Sequence, residues 1–203
     1  MKRVVGFCIA LACAWPIAAH AQAPEPTRST TLNVLGGATF SSGTQQPNFG
    51  GAFGWEFTPR FAVETTMKWL VPNKGAEGFS AIMTAQVPLV TGKKVRPFLS
   101  AGAGANRATY DLSRSDVPEF YLNRFGDVGA IESSHKAFVD PAVVFGGGVS
   151  IFATRHISVR PEVEVMTVWD SGKTYTTTSA AVRLAYHFEL NRTSPAIGVP
   201  HAR

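Results

Sequence analysis

Two groupings of residues in this chain have types and spacings that could do chemistry. His156-Ile157-Ser158, with Glu162 and Glu164 shortly after, could supply an imidazole to take a hydroxyl proton and a carboxylate to orient the ring, which is the logic of an acyl-transfer nucleophile. The second grouping is electrostatic. Glu56, Glu64, Lys68, Arg160, Glu162, Glu164 and Arg183 set four carboxylates beside three cations, and each falls on the same parity as its charged neighbours along its own segment. Buried together, such charges would have to pair, because an isolated ion in a low-dielectric interior is costly. The stretch from Tyr110 to Lys136 adds a third mixture, Arg114, Phe120, Tyr121, Arg124 and Phe125, suited to contact with a protein or glycan.

Other groupings lead nowhere. His135, His187 and His201 lack metal-ligand spacing, and Asp111, Asp116, Glu119 and Asp127 lack the spacing of a calcium loop. Gly36-Gly37 and Gly102-Ala103-Gly104 precede no helix that could offer its N-terminus to a phosphate, so they read as strand glycines. No catalytic, metal or cofactor-binding residue is assigned, and no cofactor is expected.

The elements that must position these side chains have a period of two. In the segment from His156 to Trp169, Ile157, Val159, Val163, Val165 and Trp169 take one face, while Ser158, Arg160, Glu162, Glu164 and Met166 take the other. The same alternation recurs in eight segments: Thr30 to Phe40, Phe49 to Phe57, Phe61 to Trp69, Phe79 to Leu89, Val95 to Thr109, Ala137 to Phe152, His156 to Trp169 and Thr174 to Phe188. Most reach the ~10 residues of a tilted membrane strand. Aromatic residues gather near segment ends, Phe40, Phe49, Trp69, Phe79 and Trp169 at one level and Trp55, Phe57, Phe61, Tyr186 and Phe188 at the other, as headgroup girdles do. The pattern predicts an all-β fold, an eight-stranded antiparallel up-and-down transmembrane β-barrel, since only closure pairs every backbone N–H and C=O in lipid.

Connections alternate in length. Thr58 to Arg60, Val90 to Lys94 and Ala153 to Arg155 are short, whereas Ser41 to Asn48, Leu70 to Gly78 and Tyr110 to Lys136 are longer; the final connection, Asp170 to Lys173, is again tight. Short periplasmic turns and longer outer loops are expected of such barrels. A short helix across Pro118 to Arg124 fits the longest of them.

Residues 1–21 have the form of a cleaved signal peptide: Lys2 and Arg3, an apolar run from Val4 to Ala14, and Ala19-His20-Ala21 as a small-x-small cleavage site. Residues 22–29 form an N-terminal periplasmic segment, 30–188 the outer-membrane barrel, and 189–203 a short periplasmic tail. Both cysteines, Cys8 and Cys13, fall in the signal, which leaves no thiol chemistry or disulfide in the mature chain. Without Lys2 and Arg3 the mature chain carries 17 basic against 14 acidic residues, scattered along it, which argues against nucleic acid as a partner.

Residues paired across a hairpin have a constant sum of numbers, which allows register to be tested. Pairing Phe57 with Phe61 sets Gly54 opposite Glu64 and Gly50 opposite Lys68; pairing Phe152 with His156 sets Gly148 opposite Arg160 and Gly146 opposite Glu162. Each long charged side chain then meets a residue with none. A barrel of eight strands barely holds its own interior, so Glu56, Glu64, Lys68, Arg160, Glu162, Glu164 and Arg183 are expected to fill the lumen as an ionic network.

Arg96-Pro97-Phe98-Leu99-Ser100-Ala101-Gly102-Ala103-Gly104, Gly146-Gly147-Gly148 and the closing Ala185-Tyr186-His187-Phe188 resemble the OmpA/OmpX-type barrels, and more loosely the generic outer-membrane β-barrel domain of Gram-negative proteins, over Thr30 to Phe188. The fifteen residues after Phe188 are too few for a peptidoglycan-binding domain. The resemblance implies a bacterial outer-membrane location, contact with outer-membrane lipid and lipopolysaccharide, and passage through the barrel-insertion machinery. The expected role is non-enzymatic, structural or surface-interacting, with loop 110–136 meeting an extracellular protein or glycan. A small-solute or hydrophobic-substrate channel of the OmpW type is the alternative, although its interior should be apolar where this one is charged. A soluble lipocalin-type barrel would reverse the polarity of the two faces. Some such barrels are lipid A deacylases with a His-x-Ser motif; here His156 and Ser158 stand beside a periplasmic turn on the inward parity, away from the acyl chains of the outer leaflet.

Overall fold

The computed structural model describes residues 29–41, 44–73, 75–111, 113, 117–122, 124 and 135–189. Residues 1–21, expected to be a signal peptide, most of segment 22–29 and most of tail 189–203 lie outside them. Eight antiparallel strands run β1 (Ser29–Ser41), β2 (Thr44–Thr58), β3 (Phe61–Asn73), β4 (Ala76–Pro88), β5 (Val95–Asp111), β6 (His135–Phe152), β7 (Ile157–Asp170) and β8 (Lys173–Glu189). Each pairs with its neighbours in sequence, and β1 pairs with β8 from Ser29↔Glu189 to Phe40↔Thr178, which closes the barrel. No sheet edge is left open.

Alternation decides which way each strand faces. Along β1, Thr31, Asn33 and Leu35 are buried while Leu32 and Val34 are exposed, and along β8 Arg183, Ala185 and His187 are buried while Val182, Leu184 and Tyr186 are exposed. On β6, Val139 is 67% exposed although it is flanked by the buried Phe138 and Asp140. An apolar outside around a polar inside suits a wall bathed in hydrocarbon, where water-soluble barrels do the opposite. The aromatic levels are outward as well: Trp69 packs on Phe79 with centroids 4.7 Å apart, and Tyr186 on Phe188, also at 4.7 Å.

The strands outrun the sequence expectation at their outer ends. Ser41↔Thr44 and Asn73↔Ala76 are paired, so the connections expected from Ser41 to Asn48 and from Leu70 to Gly78 shrink to two residues each, 42–43 and 74–75. The residues 44–48, Thr-Gln-Gln-Pro-Asn, lack the apolar–polar alternation of the segments below them, because their outward positions lie beyond the outer aromatic level and need not be apolar. Backbone pairing continues there regardless of side-chain polarity. Only loop 112–134 is long among the outer connections. The wall therefore rises beyond the outer aromatic level as a polar collar. The last hairpin turns through Ser171 (φ 48°) and Gly172 (φ 81°), both in the left-handed region as a two-residue turn matched to strand twist requires.

Two register expectations are corrected. Gly54↔Glu64 and Gly50↔Lys68 do pair, but Phe61 pairs with Thr58 rather than Phe57, since a bulge lies between Glu56 and Thr58; the Phe57 and Phe61 rings stay 6.0 Å apart. In β6–β7, Gly148 lies opposite Glu162 and Gly146 opposite Glu164, two residues from the expected pairing with Arg160 and Glu162. The turn is longer than drawn because the Thr154 hydroxyl accepts from the N–H groups of His156 (3.2 Å) and Ile157 (3.0 Å), keeping His156 out of the ladder. Parity survives a shift of two, so the paired side chains of β6 and β7 keep their faces.

Candidate functional site: the filled lumen

Glu64 on β3 is the hub of the lumen, 2% exposed at the level where β7 and β8 present their arginines. Arg160 Nη1 donates to Glu64 Oε2 at 2.9 Å and Arg183 Nη1 to Oε1 at 2.8 Å, each reaching across the tube. Asn33 Nδ2 (2.9 Å) and Gln86 Nε2 (3.0 Å) donate to the same carboxylate from β1 and β4. Arg183 Nε continues to Glu162 at 2.5 Å, and Lys68 pairs with Glu164 beside it. The Arg160 guanidinium lies over the Phe98 ring, 4.9 Å from its centroid. Six of the seven residues expected in the network thus come together in one band. Buried charges paired in this way rigidify a site, although Arg160 Nε finds no hydrogen-bond partner among the described residues, and removing a partner leaves the remaining charge less compensated.

The glycines opposite are a packing requirement. A Cβ on Gly148 would stand 2.3 Å from the Pro161 carbonyl oxygen and 2.9 Å from Glu162 Cβ. The strands approach closely only because no side chain is there, which lets Glu162 fold over the gap.

Glu56, the seventh residue, is not in the band. It stands at the periplasmic mouth, hydrogen-bonded by the Ser29 hydroxyl, with its Oε1 3.6 Å from His187 Nδ1. His187 Nε2 shares a 2.8 Å hydrogen bond with Ser158 Oγ. Ser158 therefore meets His187, while His156 turns outward, stacks on Tyr186 at 5.9 Å and donates to the His187 carbonyl at 3.1 Å. The inward placement expected of His156 is overturned, because it belongs to the turn rather than to the strand. Ser158 is 0% exposed, and the nearby cavity of about 50 Å³ is lined by Glu56, Arg96 and His187 but not by Ser158. That volume holds a water or two and no acyl chain.

Above the band the filling changes character. The helix α1 (Glu119–Leu122) packs against the lumen's upper end through Phe120 and Tyr121. Tyr121 is 0% exposed, ringed by Phe120 at 4.8 Å, Tyr110 at 4.9 Å, Phe138 at 5.2 Å and Tyr175 at 5.5 Å. Burial first, then the nearby Asp140 carboxylate, pushes the Tyr121 phenol pKa up, so it stays a neutral hydroxyl. Arg124 anchors the segment, pairing with Asp140 at 2.8 Å and Asp170 at 3.0 Å and lying over Phe138 at 4.7 Å. Phe120 and Tyr121 are thus corrected from outward contact residues to a buried cap, because their rings find an apolar socket of Ala108, Val144 and Val168 in the lumen. Arg114 and Phe125 lie outside the described residues.

Sequence reasoning missed Asn33, Gln86, Thr66 and Phe98, neutral partners of the charges. Their inward parity was available; their adjacency to Glu64 was not, since it depends on strands brought together only by closure. His187 was placed on the inward face but not beside Ser158, for the same reason. Among the described residues no cluster of His, Cys, Asp and Glu could hold a metal ion.

No family model matches the sequence, and no curated protein does. Among solved structures, Neisserial surface protein A superposes with a TM-score of 0.53 at 15% identity, covering 80% of this chain and 97% of that one. The N-terminal β-barrel domain of Pseudomonas aeruginosa OprF gives 0.52 at 13% identity, covering 78% and 97%. At such identities the likeness is one of fold. Closure, strand number and the lipid-facing wall agree with it: the chain has the fold of the eight-stranded β-barrels of the bacterial outer membrane.

Proposed function

We propose that the protein is a non-enzymatic, closed outer-membrane scaffold whose role is structural or surface-interacting, with its outer end as the contact surface. The observation carrying this reading is the ionic band: Glu64, Arg160, Arg183 and Glu162 join β3, β7 and β8 across the tube, which leaves little room for a solute path. Outer-membrane lipid and lipopolysaccharide are the partners of the wall, the barrel-insertion machinery is the partner of assembly, and an extracellular protein or glycan is the partner of the outer loops. The buried Ser158 supports the non-enzymatic reading. The charged waist weighs against an OmpW-like channel, whose interior should be apolar.

Planar-bilayer recording tests the closed lumen: the purified protein is expected to insert without stable conductance steps, and reproducible openings would overturn the reading. Surface interaction is tested by replacing residues 125–134 with a short Gly-Ser linker, which is feasible because Lys136 Nζ donates to the Arg124 carbonyl at 3.2 Å, so the two ends lie close. Adhesion of expressing cells should fall while the barrel still folds; unchanged adhesion would remove that loop from the contact surface.

A further inference from the structure

The outer half of the lumen encloses a cavity of about 400 Å³, roughly eight times the space at the periplasmic end. We propose that it is a binding chamber for a neutral saccharide, entered from the extracellular side and closed below. The proposal goes beyond the scaffold reading and depends on it only for the closed floor.

Position comes first. Gln46, Ala76 and Tyr110 line the cavity from the collar, strand positions beyond the outward aromatic level of Phe49, Trp69 and Phe79. Val117 and Pro118, leading into α1, line it from above. One inward step below Leu70 and Met166 stand Lys68 and Glu164, whose ion pair closes the tube. A molecule in the chamber therefore comes from outside and returns there.

The lining selects the chemistry. Tyr110, Tyr121 and Tyr175 bring phenol rings to one cavity, and Asn106, Gln46 and Thr177 bring amides and a hydroxyl. Thr177 Oγ1 is buried without a hydrogen-bond partner, so an occupant or water must complete it. Among the described residues the lining holds no Lys or Arg, and the carboxylate it holds there, Glu77, is exposed. An ionic occupant would be left uncompensated, and a hydrocarbon would leave the hydroxyl and amides unsatisfied. A sugar ring meets both demands, with hydroxyls for Asn106 and Thr177 and C–H faces for the tyrosines. The volume lies within the ordinary range for small-molecule sites, ~300–1,000 Å³.

Methionine methyl NMR provides the test with built-in controls. Met166 lines the chamber, whereas Met67 and Met83 face lipid at 56% and 58% exposure. The full chain, 13C-labelled at its methionine methyls and reconstituted in phosphatidylcholine nanodiscs free of glycoside detergent, is titrated with lactose. The Met166 signal should shift saturably while Met67 and Met83 stay put. Thr177→Val, which keeps the side-chain shape, and Asn106→Leu should each weaken the response roughly tenfold. A Met166 signal unmoved at the solubility limit of lactose would overturn the proposal, as would movement in step with Met67 and Met83, unchanged affinity in Thr177→Val, or a response to octanol and not to lactose. Conductance by the intact barrel would sink the scaffold reading and leave these outcomes readable.

Discussion

The ionic band around Glu64 and the aromatic cap around Tyr121 fill the same tube, and they do it by different means. In the band, every group is on a strand, and the Glu64 hub is held by directional, charge-assisted bonds from four other strands. In the cap, the central ring is carried in from a loop by α1 and held by ring contacts and a single latch, Arg124. Beside the band only a small void remains, while beneath the cap there is a chamber. Buried charges must find partners at close quarters, so the band packs tight; rings tolerate a gap on one side, so the cap can roof a cavity.

Substitutions separate these two modes of filling. Arg160→Ala should have the largest effect, since it removes one of the two cations on Glu64 and leaves Glu64, Glu162 and Glu164 to share only Arg183 and Lys68; about 3–5 kcal/mol of stability is expected to go, read by denaturant unfolding in lipid vesicles. The double substitution Glu64→Gln with Arg160→Met should recover most of that loss, and a double variant as unstable as the single would show that charge pairing is not what holds the waist. Tyr121→Ala comes next. It empties the apolar socket at a cost of ~3 kcal/mol at most, mainly as early loss of amide protection in β6 and β8, with the unfolding of the waist little changed. Gly148→Ala should cost about 1–3 kcal/mol by pressing on the Pro161 carbonyl, a loss visible as a lowered heat-modification temperature on gels. Arg124→Met made together with Asp140→Asn, so that the buried Asp140 carboxylate is not left without its cation, should have the smallest effect, ~1 kcal/mol, confined to exchange of the α1 amides, because the Arg124 guanidinium is partly exposed. A global destabilisation by that double variant as large as that of Arg160→Ala would erase the distinction between band and cap.

Legibility in the sequence followed the same division. The residues of the band sit on strands where period two announces a face, so Glu64, Arg160 and Arg183 could be assigned inward and expected to pair. Glu56 shares that parity yet lies at the mouth, because parity tells the face and not the height within the barrel. The two-residue error in the β6–β7 register arose at a turn whose length depends on the Thr154 hydroxyl, a local bond with no periodic signature. Phe120 and Tyr121 looked like surface residues because they occupy a polar loop, where no repeat indicates direction. Their burial is legible only once the upper lumen is known to offer an apolar socket.

What this sequence determined by itself is a matter of alternation and composition: eight strands, an apolar outer wall, a polar interior, and aromatic residues at the two membrane levels. These follow from local backbone geometry, since successive side chains must point to opposite faces. Only the closed tertiary structure decided that Glu64 meets Arg160 and Arg183, residues 96 and 119 positions away, that Ser158 meets His187 rather than His156, and that a loop tyrosine caps a chamber. The reason is geometric: strand stagger, turn length and closure set which inward residues share a level, and none of these is written in the period of a single strand.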